Sequence, residues 1–90
     1  EYAAIKAGII QLTRYMARYF ANTGLRFNCI SPGGILEGQP PEFLQAYRQY
    51  CTSKGMLDAQ DVVGTLMFLL SEHAKHVNGQ NIVIDDGYSL

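Results

Sequence analysis

Tyr2 and Lys6 are the first residues of the chain whose types and spacing could do chemistry. Four residues along a helix correspond to about 40° of rotation and about 6 Å of rise, so both side chains project from one face. A phenol is a poor acid–base group at neutral pH, because its reference pKa is about 10. An ammonium about 4.5 Å away, at an effective dielectric constant near 20, favours the phenolate by about 3–4 kcal/mol. The pair is therefore a candidate general acid–base, although such a spacing is more often an exposed packing pair.

A second candidate site is the loop Ser31-Pro32-Gly33-Gly34-Ile35, which follows a strand-like segment at residues 25–30. In open parallel sheets, ligands bind beyond the carboxyl ends of the strands. Proline fixes one backbone angle, and glycines allow a ligand to come close to the backbone. The loop therefore suits hydrogen bonding between its peptide groups and a planar ligand. The alternative is an ordinary loop, since Pro-Gly is common at chain turns.

Apolar spacing and turn residues predict three helices and two strands around these candidates. The first helix covers residues 1–22 with Gly24 as its C-terminal cap, the second begins at Pro41 and ends near Lys54-Gly55, and the third begins at Asp58. The strands are residues 25–30 and 80–84, the latter after a turn at Val77-Asn78-Gly79. This order predicts a crossover between parallel strands, and hence an α/β fold.

Two strands cannot form such a sheet by themselves, because their apolar faces need neighbouring strands and helices to cover them. We therefore predict that residues 1–90 are the C-terminal part of a doubly wound, Rossmann-type parallel sheet. The N-terminal, dinucleotide-binding half of that single domain would lie outside this sequence.

The composition excludes several classes of function. Of the 90 residues, 48% are apolar and 17% are charged, and the net charge of −1 comes without a basic run, so neither nucleic acid nor membrane is an expected partner. Cys29 and Cys51 lack metal-ligand spacing and favour a reduced, cytoplasmic protein, although one disulfide stays open. His73 and His76 are three residues apart without a cysteine nearby, so no metal site is predicted.

Four motifs occur in the order typical of one enzyme family. They are Tyr2-x-x-x-Lys6, Asn28-x-Ile30-Ser31-Pro32-Gly33-Gly34-Ile35, Asp61-Val62-Val63 leading to Phe68-Leu69-Leu70-Ser71, and Asn78-Gly79-Gln80-x-Ile82-x-Ile84-Asp85-x-Gly87. Together they span nearly the whole chain. The sequence resembles the C-terminal half of a short-chain dehydrogenase/reductase.

The resemblance implies an oxidoreductase that transfers hydride between NAD or NADP and an alcohol or ketone. Tyr2 would exchange the proton with the substrate oxygen, and Lys6 would favour its phenolate and bind the nicotinamide ribose. The cofactor pocket would be formed by Tyr2, Lys6, Pro32, Gly33, Gly34 and Ile35. Residues 36–56 would form the substrate loop, and the family usually assembles as homodimers or homotetramers.

Some features depart from the family pattern, and some alternatives stay open. Glu37 occupies the region where a cofactor-contacting threonine is common, and Asp86 replaces the commoner glycine of the terminal motif. A non-catalytic fragment or subunit that associates through its first helix is the alternative function. The substrate is open between surface-sugar intermediates, acyl-carrier-protein substrates and sugar alcohols. The fragment alone is expected to be inactive.

Overall fold

A computed structural model describes residues 1–90, with the helices and strands in the predicted order. Two compact units are present: residues 1–30 with 68–82, and residues 31–67 with 83–90. The elements are helix α1 (Tyr2–Tyr19), strand β1 (Cys29–Pro32), helix α2 (Pro41–Arg48), a 3-10 helix (Ala59–Val62), helix α3 (Val63–Leu69), a short 3-10 helix (Glu72–Ala74) and strand β2 (Asn81–Ile84).

Strands β1 and β2 pair with each other in a two-stranded sheet. The Cys29 amide donates to the Gln80 carbonyl over 2.9 Å, and four residues later the Gly33 amide donates to the Ile84 carbonyl over 2.8 Å. Both strands advance by four residues between the two bonds, which is a parallel register. The predicted α/β crossover with parallel strands is confirmed.

Helix α1 is shorter than predicted, since it ends at Tyr19 and not at residue 22. The chain leaves the helix at Phe20, whose ring packs against Phe27 at 5.4 Å between centroids. Asn22 already has a left-handed backbone at φ 65°, two residues before Gly24 at φ 84°. Gly24 therefore belongs to the following turn and is not the helix cap.

The predicted strand at residues 25–30 is placed too early, because β1 begins at Cys29. Residues 25–28 lie outside the strand, and Phe27 and Asn28 hydrogen-bond to the turn that precedes β2. The Phe27 amide donates to Asn78 Oδ1 at 2.9 Å, and the Asn28 side-chain amide donates to the Val77 carbonyl at 2.8 Å. These side-chain hydrogen bonds, with one backbone bond from the Gly79 amide to the Phe27 carbonyl at 2.7 Å, hold the segment in place of a regular strand ladder. The second predicted strand is confirmed, with β2 starting one residue later than expected.

Helix α2 begins with Pro41 at its first position, as predicted, but ends at Arg48. The predicted end near Lys54-Gly55 is wrong because the chain turns away after α2, where Thr52, Ser53 and Gly55 hydrogen-bond to Asp86. The predicted start of the third helix at Asp58 is confirmed. Asp58 and Asp61 form a reciprocal capping box, although the first turn is 3-10.

Few side chains are fully covered in the chain. The buried apolar residues are Met56, Leu57, Leu69 and Ala74. Both cysteines are unpaired, and the histidines, cysteines and acidic residues form no cluster of three or more. None of the helices has the length and apolar character that crossing a bilayer requires.

Candidate active site

Tyr2 and Lys6 lie on one face of α1, as their spacing predicts. The Lys6 Nζ atom lies over the aromatic ring of Tyr2, 5.3 Å from the ring centroid. This is within the range in which a cation is attracted to the face of a phenol ring. The ammonium therefore lies above the ring of Tyr2 in this structure.

The start of α1 fixes where this pair projects. Tyr2 is the first helical residue, and the Glu1 carbonyl accepts the Ile5 amide at 3.0 Å, so the first turn is closed by the backbone alone. Glu1 makes no side-chain capping hydrogen bond. Tyr2 is 73% exposed.

Gly33 and Gly34 are required by close packing within the second unit. A Cβ atom on Gly33 would lie 2.7 Å from the Asp85 Cβ and 3.0 Å from the Asp85 Cα. A Cβ atom on Gly34 would lie 2.6 Å from the Met56 Cε and 3.2 Å from the Tyr47 hydroxyl oxygen. Neither glycine has a left-handed backbone. Backbone packing therefore accounts for Gly33, while the nearest atom to Gly34 is the end of the flexible Met56 side chain.

The backbone N–H and C=O groups of Ile35 point away from the segment around Leu57, with which Ile35 pairs. Ile35 forms a parallel bridge with Leu57, in which the Gly34 carbonyl accepts the Leu57 amide and the Leu36 amide donates to the Leu57 carbonyl, both at 2.8 Å. In such a bridge, the N–H and C=O of the central residue point to the opposite side. The Ile35 amide makes no hydrogen bond within the protein. An amide donor and a carbonyl acceptor thus lie together on one edge of this segment.

The Gln39 side chain supports this edge with two hydrogen bonds, a role that the sequence did not predict. Its Oε1 accepts the Glu37 amide at 2.8 Å, and its Nε2 donates to the Ile35 carbonyl at 3.1 Å. Gln39 therefore supplies side-chain contacts to both Glu37 and Ile35 of this segment. The carbonyl oxygen of Ile35 retains a second lone pair for another donor.

The Asp86 carboxylate holds the segment after α2 in place. It accepts hydrogen bonds from the Ser53 hydroxyl at 2.6 Å, the Gly55 amide at 2.7 Å, the Thr52 hydroxyl at 3.0 Å and the Ser53 amide at 3.1 Å. The Ser53 hydroxyl and then the Gly55 amide hold the pKa of the Asp86 carboxyl well below its usual range. Asp86 also tolerates the left-handed backbone found there, at φ 53°.

The predicted site residues are distributed over both units. Tyr2 and Lys6 belong to the first unit, where they contact each other. Pro32, Gly33, Gly34 and Ile35 belong to the second, where Pro32 is the exposed last residue of β1. The functional roles of these residues stay predictions.

A family model described as enoyl-(acyl carrier protein) reductase matches residues 1–89. The chain belongs to the short-chain dehydrogenase/reductase family. A solved short-chain dehydrogenase from Leptospira borgpetersenii, with bound NAD+, is 46% identical and superposes with a TM-score of 0.94. The match covers 99% of this chain and 35% of that one. The fold is thus the Rossmann-like α/β fold of this family, as predicted.

Two curated relatives match over nearly the whole of this chain. Post-translational flagellin modification protein A of Campylobacter coli is 52% identical over 90 residues, which is 100% of this chain and 35% of that protein. The 7alpha-hydroxysteroid dehydrogenase of Bacteroides fragilis is 35% identical over 94 residues, which is 99% of this chain and 36% of that protein. The chain therefore spans about a third of the length of these relatives.

Proposed function

We propose that the full-length protein containing these residues is an oxidoreductase that interconverts an alcohol and a ketone or aldehyde with a nicotinamide dinucleotide. The observation that carries the proposal is the Lys6 ammonium over the ring of an exposed Tyr2, in a member of the short-chain dehydrogenase/reductase family. A relative with bound NAD+ and a relative named as a steroid dehydrogenase support this chemistry. The relative named as a steroid dehydrogenase also supports a small-molecule substrate.

Tyr2 is the proposed acid–base group. A bound nicotinamide accepts or donates the hydride at its ring C4. In alcohol oxidation, the Tyr2 phenolate takes the proton of the substrate hydroxyl; in carbonyl reduction, the Tyr2 hydroxyl returns that proton to the substrate oxygen. The Lys6 ammonium stabilises the negative charge that Tyr2 carries between these events.

The loop Pro32-Gly33-Gly34-Ile35 is proposed to bind the nicotinamide, and its donor set fits the carboxamide group. A carboxamide offers one acceptor and one donating NH2 group, and Ile35 offers an amide donor and a carbonyl acceptor on the same edge. Pro32 is exposed at the end of β1, three residues before Ile35 in the sequence. NAD and NADP are both compatible with these contacts.

The Tyr2→Phe variant of the full-length protein tests the acid–base role. We expect the turnover number to fall about 100- to 10,000-fold, because the phenyl ring cannot transfer a proton. The Kd for NADH or NADPH, followed by fluorescence, should change by less than about twofold. Turnover is measured with the secondary alcohol that the wild-type protein oxidises fastest among a panel offered with NAD+ and NADP+.

Tyr19→Phe is the matched control for this variant. Tyr19 lies on the same helix and is similarly exposed, at 68%, but its ring contacts Tyr15 and Phe20 instead of a lysine. Its replacement should leave turnover unchanged. Full turnover in the Tyr2→Phe variant would refute the proposed role of Tyr2.

The exposed apolar face of α1 supports a second candidate, a non-catalytic subunit that acts through helix association. Ile5, Ile9 and Leu12 are 60%, 46% and 56% exposed on this helix. An absence of turnover and of nicotinamide binding in the full-length wild-type protein would favour this candidate. Homodimer or homotetramer formation and a cytoplasmic location stay predictions under both candidates.

A further inference from the structure

Tyr47, on helix α2, makes a side-chain contact with the glycine loop that no motif predicts. The Gly34 amide donates to the Tyr47 hydroxyl oxygen at 2.8 Å, across 13 residues of chain. Tyr47 lies in the predicted substrate loop, residues 36–56, while Gly34 lies in the predicted cofactor loop. One hydrogen bond therefore joins the two loops within the second unit.

Two rings hold the Tyr47 side chain in place. The ring of Tyr88 stacks on it with centroids 4.4 Å apart and an interplanar angle of 15°, and Phe43 lies on α2 with its centroid 6.3 Å away. A tyrosine has only two side-chain torsions, so stacking of the ring fixes the position of the hydroxyl. Tyr47 is thus a rigid acceptor aimed at Gly34.

The bond to Tyr47 completes the restraint on the Gly34 backbone. The Gly34 carbonyl accepts the Leu57 amide at 2.8 Å, so the peptide group after Gly34 is already held. Glycine has more backbone freedom than any other residue, and Gly34 has no side chain that could restrict its torsions. Without the Tyr47 hydroxyl, the peptide group before Gly34 would lose its hydrogen-bond partner, and the Gly34 torsions would be free to change.

We propose that Tyr47 is a positioning residue for cofactor binding: its hydroxyl fixes the Gly34 peptide and so orients the amide and carbonyl groups of Ile35. This rests on the proposed function, because it takes the Ile35 edge as the nicotinamide site. The same bond couples the placement of helix α2, on the substrate side, to the shape of the cofactor loop.

The Tyr47→Phe variant of the full-length protein tests this proposal, because it keeps the stacked ring and removes only the hydroxyl. We expect the Kd for NADH or NADPH to rise about tenfold, as for loss of one hydrogen bond that leaves a donor unpaired. Turnover at saturating cofactor should change less than about threefold, because Tyr47 acts on binding and not on the proton transfer. The Gly34 amide should exchange its hydrogen faster than in the wild-type protein.

Tyr50→Phe is the matched control. The ring of Tyr50 also contacts Tyr88, at 5.8 Å between centroids, but its hydroxyl makes no hydrogen bond. Its removal should leave both the Kd and the Gly34 exchange rate unchanged. An unchanged Kd in Tyr47→Phe, or an equal effect of Tyr50→Phe, would overturn the proposal.

If Tyr47→Phe does not fold, hydrogen exchange of the Gly34 amide in the wild-type protein tests the proposal instead. The Gly34 amide should then be protected without cofactor, and an unprotected Gly34 amide would overturn the proposal. A wild-type protein that binds neither NADH nor NADPH refutes the proposed function itself. The two failures are therefore distinguishable.

Discussion

At the scale of single residues, Tyr2 and Lys6 share one face of α1, with the lysine ammonium 5.3 Å from the centroid of the tyrosine ring. Their spacing of four residues predicted this shared face. Spacing could not predict that the ammonium lies over the ring, because the lysine rotamer depends on contacts in three dimensions. Gln39 and Tyr47 were missed for the same reason, since their partners at Ile35 and Gly34 are brought close only by folding.

The two loop glycines also illustrate what a sequence pattern leaves open. Pro-Gly-Gly after a strand indicates that other atoms come close to the backbone, but the pattern does not identify those atoms. In the structure, the approaching atoms include Asp85 for Gly33 and Met56 for Gly34. The glycines therefore have a structural role of their own beside the proposed role in cofactor binding.

Gly33→Ala should destabilise the protein because the added methyl group would meet the Asp85 backbone at 3.0 Å. Overpacking of this kind costs about 1–3 kcal/mol of the free energy of unfolding, measured by urea denaturation. The matched control is Gly64→Ala in helix α3, where a Cβ meets nothing within 4 Å. That change should stabilise the protein by up to about 1 kcal/mol. Equal stabilities of the two variants would contradict the packing described for Gly33.

At the scale of elements, the sequence predicted the order and type of the helices and strands better than their ends. Helix starts with a local signal, Pro41 and Asp58, were predicted correctly. The ends of α1 and α2 were predicted too late, because each helix stops where the following residues find tertiary partners. Phe20 packs against Phe27. Thr52, Ser53 and Gly55 hydrogen-bond to Asp86.

Asp86 connects the end of β2 to the segment that follows α2, and its charge makes this connection dependent on pH. A carboxyl whose pKa is lowered in the folded state contributes stability that is present above its unfolded pKa. This contribution is lost as the pH falls below the unfolded value of about 3.9 toward the lower folded value. The turn at Asp86 is therefore expected to weaken in acid.

The Asp86→Asn variant should lower the free energy of unfolding at pH 7, because the amide NH2 group cannot accept from the Ser53 and Gly55 donors. Asparagine tolerates the left-handed backbone at this position, so the variant changes the charge and leaves the turn geometry allowed. Urea unfolding should also depend less on pH between about 5 and 2 than in the wild-type protein.

Glu37→Gln is the control, because the Glu37 side chain is exposed and makes no hydrogen bond or ion pair. If the free energy of unfolding of Asp86→Asn depends on pH in the same way as that of the wild-type protein, Asp86 does not contribute to the pH dependence of stability.

At the scale of the whole chain, the most informative property is how little of its apolar surface is covered. Only four apolar side chains are buried, while Ile5, Leu12 and Leu70 are more than half exposed. A sheet of only two strands cannot cover its own apolar faces. For this reason the sequence predicted that further strands and helices complete the sheet. The chain spans about a third of its relatives' length, and the exposed faces are the surfaces at which additional structure could pack.

Recognition of the family depended on the whole chain as well, since each motif is weak alone. The ordered set of motifs, from Tyr2 to Gly87, covers nearly the same residues as the family model. The substrate could not be predicted, because residues 36–56 carry no pattern typical of one substrate class. Their structure shows instead how this segment is held, through Tyr47 and Asp86.

A double-mutant cycle of Tyr2→Phe and Lys6→Met in the full-length protein tests most directly whether the two side chains form one acid–base unit. Side chains that act as a unit are strongly non-additive in their effects on turnover. We predict that Lys6→Met lowers turnover at least about tenfold in the wild-type background and less than about twofold in the Tyr2→Phe background. Losses that multiply in the double variant would contradict the proposed role of Lys6 in stabilising the Tyr2 phenolate.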